Sequence, residues 1–358
     1  MRPSPIPSLF CFGFDAVTLP DHLRPLLESG LGGVILFRRN LQDLPQICRL
    51  TAALHAAADL PLLVGVDQEG GRVSRLPAPF LAPPAAATLG AIDDEALTRD
   101  LARAVGRELR AAGFTWNLAP VLDVHTNPRN PIIGDRAFSH DPDRVARLGA
   151  AAIQGLADAG ILATAKHFPG HGDTVADSHL TLPESSQSPA RWRAVEFVPF
   201  RRAIRDGVPA VMAAHLLCPA LDPETPSSLS RRIITGILRE ELGYDGVVVS
   251  DDLEMEAIAA RLDLGEAAVR FLEAGGDLIL ICRDPGRQQA AVAAVEAAVK
   301  GRRLSEVRLA ASLDRIARLR KWLEARRSPV DVEAAQAIVG NAEHQRLLQA
   351  ILTAEHSQ

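Results

Sequence analysis

Ile161-Leu162-Ala163-Thr164-Ala165-Lys166-His167-Phe168-Pro169-Gly170-His171-Gly172-Asp173-Thr174 joins a small, largely apolar run to a charged tail punctuated by glycine and proline. Its first part, Ile161–Ala165, predicts a buried β-strand. The continuation, through Asp177-Ser178-His179, reads as a long loop mounted on the C-terminal end of that strand. Loops held by a rigid strand are where binding and catalytic groups concentrate. Lys166-His167 sit at the junction, and a lysine closing a buried strand needs a carboxylate or a ligand oxygen close by.

The same pattern recurs along the chain. Strand candidates are Leu9–Phe14, Gly33–Phe37, Leu62–Val66, Thr115–Val124, Ile161–His167, Ala210–His215, Gly246–Ser250 and Asp277–Ile281. Helical patterns separate them, at Gln42–Ala58, Asp94–Ala112, Pro142–Ala159, Gln187–Arg205, Arg231–Glu241 and Gly286–Lys300. Continuous apolar strands alternating with helices point to a parallel sheet covered on both faces. Eight such units favour an α/β fold of the closed (β/α)8 TIM-barrel type over an open sheet. Charged or titratable residues fall at the C-terminal strand ends: Asp67, Asp123, Lys166-His167, His215 and Asp251-Asp252. That is the face on which barrel enzymes build their sites. After about residue 303 the strands stop, and Leu304–Arg326 and Val332–Leu352 read as helices. We therefore expect a catalytic barrel over 1–303 and a helical extension over 304–358 packed on it.

Bulk properties exclude several classes. A formal net charge of −5, with no Lys/Arg run, argues against a nucleic-acid partner. No stretch approaches the roughly 20 apolar residues of a membrane span. Met1–Pro7 carries prolines where a signal peptide would need an apolar helix, so a cytoplasmic protein is expected. Cys11, Cys48, Cys218 and Cys282 are scattered and read as reduced, buried thiols. A monomer or weak homo-oligomer is expected.

Four constellations carry chemistry. Asp67-Gln68-Glu69-Gly70-Gly71-Arg72-Val73-Ser74-Arg75 offers carboxylate acceptors and guanidinium forks suited to sugar hydroxyls. Its bland alternative is a tight turn with a salt bridge. Asn127–Arg136 reads as a loop presenting Arg136 to a ligand, or as a surface loop with a solvated arginine; Asp123 upstream helps hold the loops. Asp177 and His179, two residues apart, share a face in an extended segment, so Asp177 orients the imidazole of a general acid/base or makes a local turn contact. His171 reads as structural. Among Ser250-Asp251-Asp252-Leu253, successive side chains diverge and only one acid points easily into the barrel mouth. Asp251 is the expected nucleophile, kept ionised by Lys166 and Arg136, while Asp252 caps or braces the next helix. The histidines and acids of the central loop lack a helical His-x-x-x-His or a nearby cysteine, so neither a metal nor another cofactor is expected.

Lys166–Thr174 with Asp177-Ser178-His179 resembles the K-H-F-P-G-H-G-D-T-x-x-D-S-H signature of glycoside hydrolase family 3. It is most similar to the bacterial β-N-acetylglucosaminidase branch that acts in peptidoglycan recycling. Asp67–Arg75, Asn130–Phe138 and Ser250–Met255 extend the resemblance, which covers roughly residues 8 to 300. It implies a retaining exo-β-N-acetylglucosaminidase that removes non-reducing N-acetylglucosamine from GlcNAc-1,6-anhydro-MurNAc-peptides. Asp251 would form the glycosyl-enzyme, and His179 paired with Asp177 would be the acid/base on a mobile loop. Asp67, Arg75, Arg136, Lys166 and His167 would bind the sugar. Retaining glycosidases generally use two carboxylates about 5 Å apart; a histidine–aspartate dyad replaces one here, and an imidazole with a pKa of about 6.5 serves both steps near neutrality. A β-glucosidase or phosphorylase of the same family, or a non-catalytic sugar-binding barrel, are the alternatives.

Overall fold

Short runs of Val, Ile, Leu and Phe without polar alternation can be covered only from both sides, and a closed barrel does this. The computed structural model describes residues 4–174, 182–326 and 328–355. Its strands are β1 (Phe10–Phe12), β2 (Gly33–Leu36), β3 (Leu63–Val66), β4 (Trp116–Asn117), β5 (Leu162–Phe168), β6 (Ala210–Ala213), β7 (Val247–Asp252) and β8 (Leu278–Ile281). Neighbours pair in parallel in sequence order, and β8 returns to β1 to close the barrel. All eight expected strands are present, in a TIM-type α/β fold.

The surrounding helices are α1 (Arg24–Glu28), α2 (Leu44–Ala57), α3 (Ala86–Ile92), α4 (Glu95–Ala111), α5 (Pro142–Asp158), α6 (Pro189–Ala194), α7 (Phe197–Arg205), α8 (Glu256–Ala259), α9 (Leu264–Ala274) and α10 (Pro285–Lys300). After the barrel come α11 (Glu306–Glu324), α12 (Val332–Ile338) and α13 (Ala342–Glu355). Many begin at an aspartate or serine whose oxygen accepts a free first-turn N–H: Asp43, Asp94, Asp141, Ser188, Asp263, Asp284, Ser305 and Asp331. Each cap stabilises its helix by about 1 kcal/mol. No helix among the described residues is long and apolar enough to cross a membrane.

Four expectations change. Thr115–Val124 is regular strand only at Trp116–Asn117, because Pro120 lacks the N–H a ladder needs. A single bridge from Val121 to Lys166 resumes the pairing beyond it. Gln187–Arg205 divides into α6 and α7, since Pro199 cannot donate to the carbonyl of Val195. Val332–Leu352 divides at Gly340, whose φ of +66° ends α12. Arg232–Glu241, expected as an ordinary helix, winds as a π-helix.

Inside the barrel, Gly65 makes room for the Trp116 ring: an added Cβ would lie 2.9 Å from Trp116 Cε3. The indole Nε1 donates to Thr164 Oγ1 at 2.6 Å, so the buried ring leaves no polar atom unpaired. At the N-terminal mouth the Asp277 carboxylate, 0% exposed, gathers Arg239 (2.5 Å), Arg308 (3.0 Å) and Arg315 (3.4 Å). Ser312 Oγ and the Val248 N–H donate to it as well. One aspartate thus joins the π-helix, α11 and two strands. Asp277→Ala should lower unfolding free energy by about 3 kcal/mol, the scale for stripping a buried ion cluster of its counter-charge. Urea unfolding checks this; a loss under ~1 kcal/mol would show that α11 is held by packing alone.

Candidate active site

The opposite mouth holds the predicted chemistry. β5 carries one more residue than β6 between Ala165 and Phe168, and the Lys166-His167 peptide inside that bulge is cis. β7 has an extra residue against β8 between Val249 and Asp252. A bulge breaks the strict alternation of side chains along a strand. Both Lys166 and His167, and both Asp251 and Asp252, therefore line one cavity of about 230 Å³. The expectation that only one of the two adjacent acids would face the mouth is corrected: regular-strand geometry does not hold there.

One side of the cavity is a continuous chain of paired charges. Lys166 Nζ donates to Asp67 Oδ1 at 2.7 Å and lies 2.6 Å from Glu69 Oε1. Glu69 takes both Arg136 Nε and Nη2 at 2.8 Å, a bidentate fork. Arg136 Nη2 reaches to 3.4 Å from His167 Nε2. The other ring nitrogen, Nδ1, donates to Asp123 Oδ2 at 2.7 Å, and Asp123 Oδ1 accepts the His171 N–H at 2.6 Å. Four of the five expected sugar-binding residues, Asp67, Arg136, Lys166 and His167, are linked in this way. Arg75 stands beside them on the cavity wall; its buried Nε has no hydrogen-bond partner among the described residues.

Two members of the chain were not picked out from sequence. Glu69 was visible only as one acid in a glycine-rich turn, yet it sits between both cations. Asp123, read as a loop brace, is 0% exposed and fixes the tautomer and orientation of His167. Its signal was a lone acid inside the apolar run Val121–Val124. Burial alone would raise the Glu69 carboxyl, but Lys166 and Arg136 outweigh it and hold it far below the usual range. Burial is likewise overcome at Asp123, by His167 and then His171.

Across the cavity, Asp251 has a lowered pKa. Burial opposes ionisation, and His215, His167, the Asp252 N–H (2.9 Å from Oδ1) and Lys166 reverse it. The expected help from Lys166 is thus a lesser contribution. Arg136 is committed to Glu69, and His215, two residues beyond the end of β6, is the larger influence. Asp252 differs from its neighbour: burial, then Glu254 and Asp251, push its carboxyl up to about 7. Its Oδ1 accepts the N–H groups of Glu254 (3.0 Å) and Cys282 (3.2 Å), so it braces the turn after β7 and ties it to β8. His171 is buried, with Nδ1 2.6 Å from Thr174 Oγ1, and burial lowers its pKa to about 4. Asp173 serves loop architecture, accepting from Gln187 Nε2 at 2.8 Å. Asp177 and His179 lie outside the described residues. Among the described residues, no three His, Cys, Asp or Glu side chains are grouped to hold a metal ion.

Known proteins share this architecture. A β-hexosaminidase of Alkalilimnicola ehrlichii is 42% identical over 280 residues, spanning 76% of this chain and 80% of that protein. The structure of a glycoside hydrolase family 3 β-N-acetylglucosaminidase from Paenibacillus sp. superposes with a TM-score of 0.95 at 42% identity, over 99% of this chain and 69% of that one. NagZ from Neisseria gonorrhoeae, in complex with N-trifluoroacetyl-D-glucosamine, superposes with a TM-score of 0.80 at 32% identity, over 97% and 98% of the two chains. Residues 21–319 match the glycosyl hydrolase family 3 N-terminal domain, and the chain belongs to that family.

Proposed function

We propose that the chain is a retaining exo-β-N-acetylglucosaminidase, acting in the cytoplasm as a monomer or weak homo-oligomer. Its substrates would be peptidoglycan fragments of the GlcNAc-1,6-anhydro-MurNAc-peptide type. The observation that carries this reading is the cavity, which Asp251 lines together with the linked charges of Asp67, Glu69, Arg136, Lys166 and His167. Its volume of about 230 Å³ lies below the roughly 300–1,000 Å³ of sites for drug-sized ligands, which suits one sugar ring at a chain end. Glycoside hydrolase membership and β-hexosaminidase relatives support the reaction class.

In the first step an Asp251 oxygen attacks the anomeric carbon while the glycosidic oxygen leaves, taking a proton from the His179 imidazolium. In the second step neutral His179 takes a proton from water, whose oxygen displaces the Asp251 carboxylate. Asp177 would stabilise the imidazolium. Asp67, Arg75, Arg136, Lys166 and His167 would hold the sugar, with Glu69 and Asp123 fixing the cations and the ring. The lowered pKa of Asp251 keeps the nucleophile ionised at neutral pH.

The direct test is hydrolysis of matched aryl β-N-acetylglucosaminide and aryl β-glucoside, with and without phosphate. Preference for the first, without glycosyl phosphate, is expected; the reverse preference or phosphorolysis would reassign the substrate or the acceptor. Asp251→Asn should lower kcat on the preferred glycoside by at least about 10⁴-fold, as for a covalent nucleophile. Retention of wild-type rates would remove Asp251 from the mechanism. His179→Ala should harm substrates with poor leaving groups far more than activated aryl glycosides, which need little protonation. Equal losses on both would contradict the acid/base role.

Asp252 makes a pH prediction. Its folded pKa of about 7 exceeds the ordinary 3.8, so between about pH 4 and 7 the folded chain holds a proton that the unfolded chain has released. Stability should therefore fall as pH rises through that window. Asp252→Asn keeps the acceptor oxygen and removes the titration, so the difference in stability between wild type and variant should change across it. Glu196, also raised to about 7, acts in the same direction in both proteins and cancels from the difference. A difference constant from pH 4 to 8 would show that Asp252 titrates normally.

A further inference from the structure

The last helices lie beyond the matched family domain, which ends at residue 319, yet they reach toward the sugar-binding loops. The link begins at Glu108 on α4, 2% exposed in the protein interior. Its Oε2 accepts the Leu81 N–H at 2.7 Å. Its Oε1 accepts the Gly340 N–H at 2.9 Å and lies 2.7 Å from His344 Nδ1 on α13. A single carboxylate thus joins α4, the segment after β3 and the α12–α13 turn. The turn touches that segment directly: a Cβ on Gly340 would come within 2.3 Å of the Pro79 carbonyl.

From there the contact passes to the cavity in one step. Pro83 O accepts the Gly71 N–H at 2.9 Å, and a Cβ on Gly70 would lie 2.3 Å from Pro84 O. Gly70-Gly71 form the turn between Glu69 and Arg75. A second tie runs from Glu355 near the end of α13, whose Oε1 accepts from Thr88 Oγ1 on α3 at 2.8 Å. α3 is in turn jammed against the Arg136 loop: a Cβ on Gly90 would fall 1.5 Å from Phe138 O. Both loops of the polar wall are therefore backed by the C-terminal helices.

Apolar packing contributes to the attachment beside the latch. The buried apolar side chains of this segment are Ala335, Val339 and Ile351, with Val332, Leu347 and Leu348 partly buried against the core. Beside the latch a pocket of about 540 Å³ lies between these helices and the α4–α5 pair, with Arg107, Arg110, Asp158 and His344 among its lining. The polar latch adds a fixed point of attachment to this packing.

We propose that α12–α13 is a positioning element for the sugar site, with Glu108 and His344 as the positioning residues that hold the Glu69–Arg75 turn. The inference rests on the reading of that turn as sugar-binding. His344→Ala removes the donor to Glu108, whereas His344→Asn keeps a donor nitrogen near the same place. For His344→Ala, KM for an aryl β-N-acetylglucosaminide and the inhibition constant of free N-acetylglucosamine should rise together by about tenfold, with kcat little changed, as displaced binding groups would give. Amide hydrogen exchange over 70–86 should quicken, and His344→Asn should restore all three readouts. A merely structural role would lower Tm while leaving KM, inhibition and exchange at wild-type values well below Tm, and would overturn the proposal. Should His344→Ala fail to fold, Glu108→Gln, which removes the charge from the same latch, takes its place; unchanged KM and unchanged exchange over 70–86 would then overturn it. A wild type that hydrolyses no glycoside would instead sink the functional reading, while the exchange measurement still decides whether the latch holds the turn.

Discussion

Two buried cations share one carboxylate at the mouth of this barrel, and the site is organised around that arrangement. Glu69 receives Arg136 through a bidentate fork and Lys166 through its ammonium, while Lys166 also takes Asp67. Removing such charges from water is expensive, and well-packed apolar residues of equal volume often give an equally stable protein. Stability alone is thus a weak reason for the cluster. Its more direct consequence is geometric: Lys166 and Arg136 are held rigidly at fixed positions on one wall, with their side-chain entropy already lost before a sugar arrives.

The strands supply the second constraint. Side chains alternate along a regular strand, so two adjacent functional residues cannot both face the same cavity. An extra residue in β5 and another in β7 lift that restriction where Lys166-His167 and Asp251-Asp252 occur. The two pairs then diverge chemically through their neighbours. Asp251 faces His215 and His167 and is held ionised, whereas Asp252 is buried beside Glu254 and Asp251 and resists ionisation. Adjacent identical residues acquire different properties because the bulge exposes both to the cavity and their surroundings differ.

Local patterns carried the barrel well. Each strand is a short apolar run, and nothing distant was required to recognise Gly33–Leu36 or Leu278–Ile281. The failures have local causes that the residues themselves announce: Pro120 interrupts β4, Pro199 separates α6 from α7, and Gly340 ends α12. Strand-end positions also disclosed Asp67, Lys166, His167 and Asp251. What was not legible was partnership across distance. Glu69 becomes important only when Arg136 and Lys166 fold onto it, and Asp123 only when β5 brings His167 to its carboxylate. The bulges were hidden too, since one extra residue in a strand is defined by its partner's register. Glu108 is the extreme case, a charge on an ordinary-looking helix whose partners are 27, 232 and 236 residues away.

The two mouths of the barrel use the same chemistry to different ends. At the N-terminal mouth, Asp277 is surrounded by Arg239, Arg308, Arg315, Ser312 and a backbone N–H, all donors turned inward on one acceptor. That cluster is closed, and what it does is hold α11 to the barrel. At the C-terminal mouth the charges line an open cavity instead. Arg75 presents a buried Nε with no partner among the described residues, and the Lys166 ammonium has three protons for the two carboxylates beside it. The Asp277 cluster faces inward on a single acceptor, whereas Lys166, Arg136 and Arg75 line an open cavity, and on the proposed reading that difference is why a hydroxyl-bearing ligand would meet the charges of this mouth.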